Sequence, residues 1–435
     1  MTEDKKNTPR FVNCKLELKL EAQSPMLHFQ WEQSNATLRA SEVKPKLDRF
    51  LLSKWKEEGK TPEELQSDDE LKEVFVSGRQ DSLNYKMDIR AGRYIPLKDE
   101  SGKGRNLFPI YYGNMKEQKV AAILTNPTVT IVCFHSKLRE KIENYIVEFF
   151  LVTNFGTMQN KGFGSFAPVQ AGFKTRLDGR QKQEIARYLK NAAGASHCFA
   201  MSRQDVPGYK DDQVLDITRY YESVFKDIKN FYSMMKSGKN YKGDYKKSYI
   251  YQYFLDKKSD FINEKAWMKR EKISPNVALP ENRKYRCDFN EKKEARYVRA
   301  LLGTGSTVSY FKEKKDGTKS NERLNITISH VSSEAGDTME RVSSPIFFKI
   351  VRNVIFIVAF PVPDELYGEE FEFERKGSIR ERGAGGDMSK KGRISTPKRE
   401  DFPASKDGTA GFDIQDFLKK YVDQYKSKFI KVEEF

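Results

Sequence analysis

The sequence predicts an α+β protein, because two different hydrophobic periods occur close together in the chain. Residues 12–21 alternate strictly between apolar and polar side chains, which is the period of a strand with one buried face. Apolar residues recur at helical spacing in residues 43–55 and 138–149. Between these helices, residues 128–134 (Thr-Val-Thr-Ile-Val-Cys-Phe) form the strongest β-forming run. Strands and helices therefore alternate in one region of the chain.

The first domain is predicted over residues 1–175, with the element order β-α-β-β-α-loop-β. The alternating strand leads to a helix after Ser41, and two or three strands follow up to Phe134. A second helix begins near Ser136 and runs into a glycine-rich loop, residues 154–166, from which a last strand leads out. This order is that of a ferredoxin-like (RRM-like) domain, built from two split β-α-β units.

The second half is less regular, and we predict a second α+β domain over residues 176–362. It is expected to contain two helices, an alternating strand and a hairpin, at residues 180–192, 212–236, 324–329 and 345–360. Residues 363–411 are rich in charge, glycine and serine, and are predicted to be a mobile segment. The apolar stripe in residues 412–435 predicts a C-terminal amphipathic helix.

The charge of the chain indicates a polyanionic partner. Its 435 residues include 78 Lys and Arg against 62 Asp and Glu, which gives a formal net charge of +16 and favours nucleic acid or an anionic membrane. The most apolar runs, residues 146–152 and 354–361, are far shorter than the roughly 20 residues of a membrane-spanning helix. The amino terminus lacks the apolar core of a signal peptide. We therefore expect a cytoplasmic protein with no membrane partner.

The motif pattern gives no sign of a cofactor. The four cysteines and four histidines are dispersed, without the spacing of a zinc site. Neither the GxxxxGK[ST] nor the GxGxxG phosphate-binding pattern is present. We expect no metal and no cofactor, and we expect the cysteines to be core residues in a reducing compartment.

The glycine-rich loop carries the most specific chemistry in the sequence. Gly156, Gly162 and Gly164 permit positive φ and close approach of the backbone, so that their amides could hold a phosphate. Lys161 adds positive charge, and the phenylalanines of the loop could stack on bases. The same residues also fit a simple helix-to-strand connection with buried phenylalanines. Local sequence leaves both interpretations open.

The loop resembles the glycine-rich loop of the CRISPR-associated RAMP superfamily, which follows the second helix of a ferredoxin-like domain. Residues 36–49 (Ala-Thr-Leu-Arg-Ala-Ser-Glu-Val-Lys-Pro-Lys-Leu-Asp-Arg) are similar to the start of that family's first helix. Lys44 and Arg49 match its lysine and its downstream arginine, while Pro45 stands where the family usually has glycine. Residues 343–346 (Ser-Ser-Pro-Ile) are similar to the start of a late strand in some members. By this resemblance the second half is RAMP-like as well.

The resemblance implies an RNA-binding subunit of a type III CRISPR effector complex, active in antiviral defence. Its implied partners are guide RNA, target RNA and the other protein subunits of the complex. Chain length and the two-domain organisation favour the large capping subunit of the Cmr-type complex. Because the RNP1 pattern of an ordinary RNA-recognition motif is missing, we expect contacts with the RNA backbone and no base stacking on the sheet.

A second candidate surface lies at residues 236–258, where lysines are interleaved with tyrosines. This mixture suits single-stranded nucleic acid, but it also fits a solvated loop followed by a strand with buried tyrosines. The complete set of candidate RNA-binding residues is Lys44, Lys46, Arg49, Gly156, Asn160, Lys161, Gly162, Phe163, Gly164, Lys242, Lys246 and Lys247.

The enzyme alternative is a RAMP-type, metal-independent endoribonuclease that processes precursor guide RNA with a histidine base. His135, His197 and His330 are the histidines considered for this role, and we expect each of them to be a packed or capping residue. A generic RNA- or DNA-binding protein is the third alternative. Our prediction is a non-catalytic RNA-binding subunit with no catalytic residues.

Overall fold

The protein is described here by a computed structural model, and its described residues form two compact units. One unit comprises Met1–Lys229, Phe347–Val358 and Lys426–Phe435, and the other comprises Asn230–Ile346 and Ala359–Tyr425. The described residues are 9–27, 37–68, 71–77, 79, 81–97, 121–206, 214–241, 244–246, 248–256, 261–271, 273, 293–313, 319–331, 342–375, 390–402, 410–425 and 431–435. The predicted domain limits at residues 175 and 362 stay predictions.

Helices and antiparallel sheets occur together, which confirms the α+β class. The helices are α1 (Ala40–Glu57), α2 (Pro62–Ser67), α3 (Ser136–Val152), α4 (Gly179–Ala193), α5 (Val214–Lys236), α6 (Tyr249–Asp256), α7 (Glu264–Arg270) and α8 (Ile414–Tyr425). The strands are β1 (Lys15–Ala22), β2 (Lys86–Arg90), β3 (Arg93–Pro96), β4 (Ala122–Thr125), β5 (Thr128–Val132), β6 (Phe166–Pro168), β7 (Phe199–Ser202), β8 (Lys239–Tyr241), β9 (Asp244–Lys246), β10 (Phe261–Asn263), β11 (Glu294–Arg296), β12 (Thr307–Glu313), β13 (Lys319–His330), β14 (Ile346–Val351), β15 (Val354–Ala359), β16 (Glu370–Arg375), β17 (Lys390–Ser395) and β18 (Val432–Glu434). Within the described part of the chain, no helix has the length and apolar character to cross a membrane.

The first sheet has the strand order β2-β5-β1-β6, and β5 and β6 both pair antiparallel with β1. Along the chain, β1 is followed by α1, β2, β5, α3 and β6, so the predicted element order is present. The additional hairpin of β3 and β4 lies between β2 and β5 in sequence. Leu16, Leu18 and Leu20 of β1 are buried while the residues between them are exposed or half-buried. The alternation in the sequence therefore identified the buried face correctly.

A second four-stranded sheet has the order β14-β15-β7-β18. If the strands of each four-stranded sheet are numbered in chain order, both sheets have the spatial order 2-3-1-4. A helix follows the first strand in each sheet, and another precedes the last strand. All residues of β14 and β15 are buried, which explains why the hairpin reads as two apolar runs without alternation, interrupted only by Lys349.

The prediction that residues 363–411 are mobile is wrong for the two stretches that form strands. β16 and β17 lie within it, pair antiparallel with each other and belong to a six-stranded sheet. Phe371 and Phe373 of β16 are buried, and Phe373 contacts the Trp267 ring edge-on with 5.6 Å between centroids. The Glu-Phe-Glu-Phe-Glu alternation of β16 is a strand pattern that the high charge of the region concealed.

The predicted C-terminal amphipathic helix is confirmed as α8. Its whole predicted apolar stripe is buried, namely Ile414, Phe417, Leu418, Tyr421, Val422 and Tyr425. The helix ends at Tyr425, and the chain continues to β18, which pairs antiparallel with β7. The prediction of helix up to residue 435 was therefore too long. Val432–Glu434 form the edge strand of the second four-stranded sheet.

Candidate nucleic-acid interface

The glycine-rich loop is folded onto the backbone of its own protein. The N–H of Phe155 donates to the carbonyl of Gly164 at 2.9 Å. A Cβ on Gly164, whose φ is +67°, would lie 1.8 Å from the carbonyl oxygen of Phe155. A Cβ on Gly156, whose φ is +79°, would lie 2.6 Å from the carbonyl oxygen of Leu27. These two glycines are therefore required by contacts within the protein itself.

The phenylalanine rings of the loop are part of the core. Phe155, Phe163 and Phe166 are fully buried. Phe163 stacks on Phe225 with 4.0 Å between ring centroids and 12° between ring planes, and a Cβ on the adjacent Gly162 would meet Ile350 at 3.1 Å. Phe163 thus has no exposed face for a base, which corrects the expectation that it stacks on RNA.

Lys46, on α1, holds the loop in place. Its Nζ donates to the carbonyl of Asn154 at 2.9 Å and to Oε1 of Gln159 at 2.8 Å. Oε1 of Glu42, one turn earlier, accepts from Lys46 Nζ at 3.0 Å and from the N–H of Gly156 at 2.6 Å. Burial lowers the pKa of Lys46, although Glu42 opposes the shift. Lys46 therefore joins α1 to two points of the loop, Asn154 and Gln159.

Lys44 and Arg49 have different surroundings although both lie on α1. Lys44 Nζ donates to Oδ2 of Asp48 and to the carbonyl of Leu83, each at 2.8 Å, and it lies 4.3 Å from the centroid of the Tyr85 ring. Burial raises the pKa of Asp48, and the Lys44 ammonium opposes that shift. Arg49 is exposed. Of these two predicted positions, Arg49 is the more accessible to a ligand.

The tip of the loop, residues 156–161, is half-buried and is the most accessible part of the glycine-rich loop. The carbonyl of Asn160 accepts from the N–H of Phe348 at 3.2 Å, and the N–H of Lys161 donates to the carbonyl of Met158 at 2.8 Å. Lys161 Nζ lies 5.8 Å from the centroid of the Phe348 ring. Asn160 and Lys161 thus lie next to Gln159, the loop residue to which Lys46 donates.

Lys349, on β14, was not identified from the sequence, although it binds the end of α3 just before the glycine-rich loop. The side chain is fully buried, and its Nζ donates to the carbonyls of Phe150 and Thr153, each at 2.8 Å. Burial lowers the pKa of Lys349 well below its ordinary value, and Lys46 adds to the shift. A single lysine inside the apolar run Ile-Phe-Phe-Lys-Ile-Val was the available signal.

The second candidate surface, residues 236–258, is only partly described. Lys242 and Lys247 lie outside the described residues, and Lys246 is described only as a strand residue of β9 paired with Lys239. Lys236 donates to the carbonyls of Leu302 and Gly303, at 3.1 and 2.5 Å, and burial lowers its pKa to about 7. The tyrosines that follow form α6 and are buried, where a strand was expected.

The three histidines considered as bases are held by separate structural contacts, as predicted. His135 caps α3, with Nδ1 accepting from the N–H of Leu138 at 3.3 Å. His197 pairs with Glu434 at 2.8 Å, and His330 pairs with Glu369 at 2.7 Å. Within the described ranges, no group of three or more His, Cys, Asp or Glu side chains could hold a metal ion.

Comparison with protein families gives two matches that together span nearly the whole chain. The family described as the Cmr1 N-terminal domain matches residues 13–239, and the Cmr1 C-terminal domain matches residues 245–435. The solved structure of Cmr1 from Pyrococcus furiosus in its apo form is 12% identical, over 52% of this chain and 77% of that chain, with a TM-score of 0.27. A comparison with curated proteins finds no match. The structural likeness is too low to support an argument, and the family matches alone carry the assignment.

Proposed function

The chain belongs to the Cmr1 family, and from this premise we propose that it binds guide or target RNA, mainly through the RNA backbone, without cutting it. Membership makes it a RAMP protein and a subunit of a type III Cmr CRISPR effector complex, a ribonucleoprotein of antiviral defence. The proposed contact surface is the tip of the glycine-rich loop together with the adjacent part of α1.

The concentration of positive charge around the loop is the observation that carries this proposal. Lys46 Nζ lies at the loop, where it donates to the Asn154 carbonyl and to Gln159. Arg49, three residues later on α1, is exposed, and Lys161 adds a further cation at the tip. A polyanion placed over the tip would be attracted by their combined field.

The cations of this cluster have two different tasks in the proposed interface. Lys46 and Lys349 are committed to carbonyl groups of the loop and of the end of α3, so they set the shape of the loop. Arg49, whose side chain is exposed, would contact a phosphate, whereas the Nζ of Lys161 is buried and would act on the RNA through its charge. A backbone shaped in advance of binding loses little conformational freedom when RNA arrives.

We also propose that each half contains a ferredoxin-like RAMP domain, with sequence limits near 1–175 and 176–362 for the main parts. The common 2-3-1-4 strand order supports this assignment. In the second half, long insertions would separate β7 from β14 and β15 from α8 in the chain, and α8 and β18 would supply the last helix and strand of the domain. The same topology in both halves suits a subunit that presents two RNA-facing modules.

The proposal is tested by the affinity of the purified protein for single-stranded RNA of guide length at several salt concentrations. Arg49→Ala is expected to bind several-fold more weakly and to lower the salt slope by about 0.7, as expected for one lost phosphate contact. Lys161→Ala removes a charge whose Nζ is buried, so it is expected to weaken binding by a smaller factor. Their melting temperatures should stay close to that of the wild type. Lys56→Ala is the matched control, because Lys56 is an exposed cation at the far end of α1.

Normal RNA affinity and salt slope in both variants would overturn the loop as the contact surface. Incubation with labelled repeat RNA in the absence of metal tests the non-catalytic part separately. We expect intact RNA. Specific cleavage that disappears in His135→Ala would replace the proposal with the endoribonuclease alternative.

A further inference from the structure

The outward face of the first sheet carries an ordered set of charged and polar side chains. The strand register aligns three rows of three residues across β1, β5 and β2, namely Lys15-Val132-Lys86, Glu17-Thr130-Asp88 and Lys19-Thr128-Arg90. The β1 and β2 members of each row are exposed, and the β5 members are half-buried. The inward-facing residues of β1 and β5 are buried leucines, valine and isoleucine. This face therefore lies open beside a well-packed core.

Phe134 projects from the same face, just beyond the end of β5. The alternation of burial along β5 continues past the strand, with Cys133 buried and Phe134 79% exposed. The N–H of Cys133 donates to the carbonyl of Cys14 at 2.9 Å, so the pairing with the segment before β1 persists to this point. Among the large apolar side chains of the described residues, Phe134 is the most exposed. A phenylalanine in water at the end of a sheet has no role in the packing of the core.

The part of the sheet face next to Phe134 carries cations. Lys15 and Lys86 occupy the row next to Phe134, and Nη1 of Arg139 donates to the carbonyl of Phe134 at 3.1 Å. Further along the face, Glu17 pairs with Lys15 at 2.6 Å. The Lys15 side chain lowers the pKa of the Glu17 carboxyl, with smaller contributions from Arg90 and Lys19. The carboxylate thus lies among cations that outnumber it.

We propose that Phe134, Lys15 and Lys86, here called the sheet platform, form a second RNA-binding site that takes an unpaired base and its flanking phosphates. The base stacks on the Phe134 ring, and Lys15 and Lys86 contact the phosphates on either side. The site is separate from the glycine-rich loop and rests on the proposed RNA binding of the chain. From the missing RNP1 pattern we expected no base stacking on the sheet. The proposed stacking is at the end of the sheet, on Phe134, whereas the central strand β5 carries threonines on this face.

Single-stranded RNA fits the platform better than a protein partner does. The core of a protein interface is depleted of charged residues, and lysine in particular is rare there. Here the row of the sheet next to the exposed ring contains the exposed Lys15 and Lys86. An aromatic ring flanked by cations is the arrangement that binds unpaired bases without strong sequence preference.

The test compares Phe134→Ala with the wild type on two oligonucleotides of equal length, one with normal bases and one with abasic sugars. On the normal strand, Phe134→Ala is expected to bind at least about fivefold more weakly, because a stacked base is lost. On the abasic strand, the two proteins should bind equally. Phe134→Tyr should restore binding, since it restores the ring. Phe134 is exposed, so its replacement leaves the melting temperature unchanged.

Salt dependence separates the two kinds of contact within the platform. Phe134→Ala should weaken binding at every salt concentration with the slope of the wild type. Lys15→Ala and Lys86→Ala should each reduce the slope by about 0.7. Lys137→Ala, an exposed cation on α3, serves as the control. These results are independent of Arg49→Ala and Lys161→Ala, so failure of the platform and failure of the loop site are distinguishable.

Equal affinity of wild type and Phe134→Ala for the normal strand would overturn the platform. If, in addition, Phe134→Ala failed to join the assembled effector complex, the face would be a protein interface. Loss of binding to both the normal and the abasic strand would also overturn the stacking role, because the base would not be what the ring recognises.

Discussion

The glycine-rich loop and the sheet platform contain similar residue types but use them in opposite ways. In the loop, the aromatic rings are buried and Lys46 and Lys349 donate to carbonyl oxygens of the protein. On the sheet platform, the ring and both lysines are exposed. A lysine close to a glycine-rich loop in sequence or space is therefore not necessarily able to contact a ligand. Burial decides which cations shape a site and which can contact RNA.

The largest effect that tests this contrast is expected from Gly164→Val in the loop. The new side chain would require an unfavourable φ of +67° and would place Cβ 1.8 Å from the carbonyl oxygen of Phe155. We expect a loss of on the order of 3 kcal/mol in the free energy of unfolding, measured by urea denaturation. Gly179→Val is the control, because a Cβ there meets nothing within 4 Å. Equal stability of the two variants would contradict a structural role for Gly164.

An intermediate effect is expected from Lys349→Met, which removes the buried amine below the loop. The carbonyls of Phe150, Thr153 and Phe166 lose their donor, which costs about 1–3 kcal/mol. Because burial holds the pKa of Lys349 well below 10.5, the unfolded chain binds a proton that the folded chain lacks between that lowered pKa and 10.5. The stability of the wild type should therefore rise relative to Lys349→Met as the pH increases through this window.

Urea denaturation of both proteins at pH 7, 8 and 9 measures this difference. The stability gap should widen with pH by no more than about 1.4 kcal/mol per pH unit. Lys19→Met, which changes an exposed lysine of β1, should show no such dependence. A gap of constant size would mean that Lys349 keeps its proton in the folded protein throughout.

The smallest effect is expected on the outward face of the sheet, from Glu17→Gln. Glu17 is exposed and its ion pair with Lys15 lies in solvent, so the free energy of unfolding should stay the same. Removal of the Glu17 charge breaks the ion pair, so that Lys15 can contact an RNA phosphate without competition. RNA affinity should therefore rise about two- to threefold at low salt. Glu63→Gln, on the exposed side of α2, is the control. Unchanged affinity would argue against a phosphate near Lys15.

The sequence was most informative where one face of an element is buried and the other is not. The strict alternation of β1 and the apolar stripe of α8 each identified the buried residues correctly. It was misleading at residues 249–254, where tyrosines alternate like a strand but form α6. Tyr249 and Tyr253 pack against Phe417, and most of the described side chains of α6 are buried. Because the helix is buried on most sides, its sequence lacks the alternation of apolar and polar residues at helical spacing that would identify it as a helix.

The candidate site was predicted only in part for a related reason. Lys46, Asn160 and Lys161 were separate candidates in the sequence, and the structure brings them together at one loop. Lys349 was missed, because its contacts with Phe150 and Thr153 join residues that are almost 200 positions apart. Phe163 was misassigned, because an aromatic residue in a glycine-rich loop looks the same in sequence whether its ring faces a base or Phe225.

The sequence by itself determined the α+β class, the element order of the first half, the positive charge and the family resemblance, which the Cmr1 family matches confirm. All of these follow from local periodicity, from composition or from short motifs, which need no knowledge of distant residues. Only the tertiary structure decided which cations are enclosed and which remain in water. Enclosure depends on contacts such as those of Lys46 and Lys349 with the loop, made by residues far apart in the chain. The same physical reason distinguishes Phe163, surrounded by the core, from Phe134, exposed at the end of the sheet.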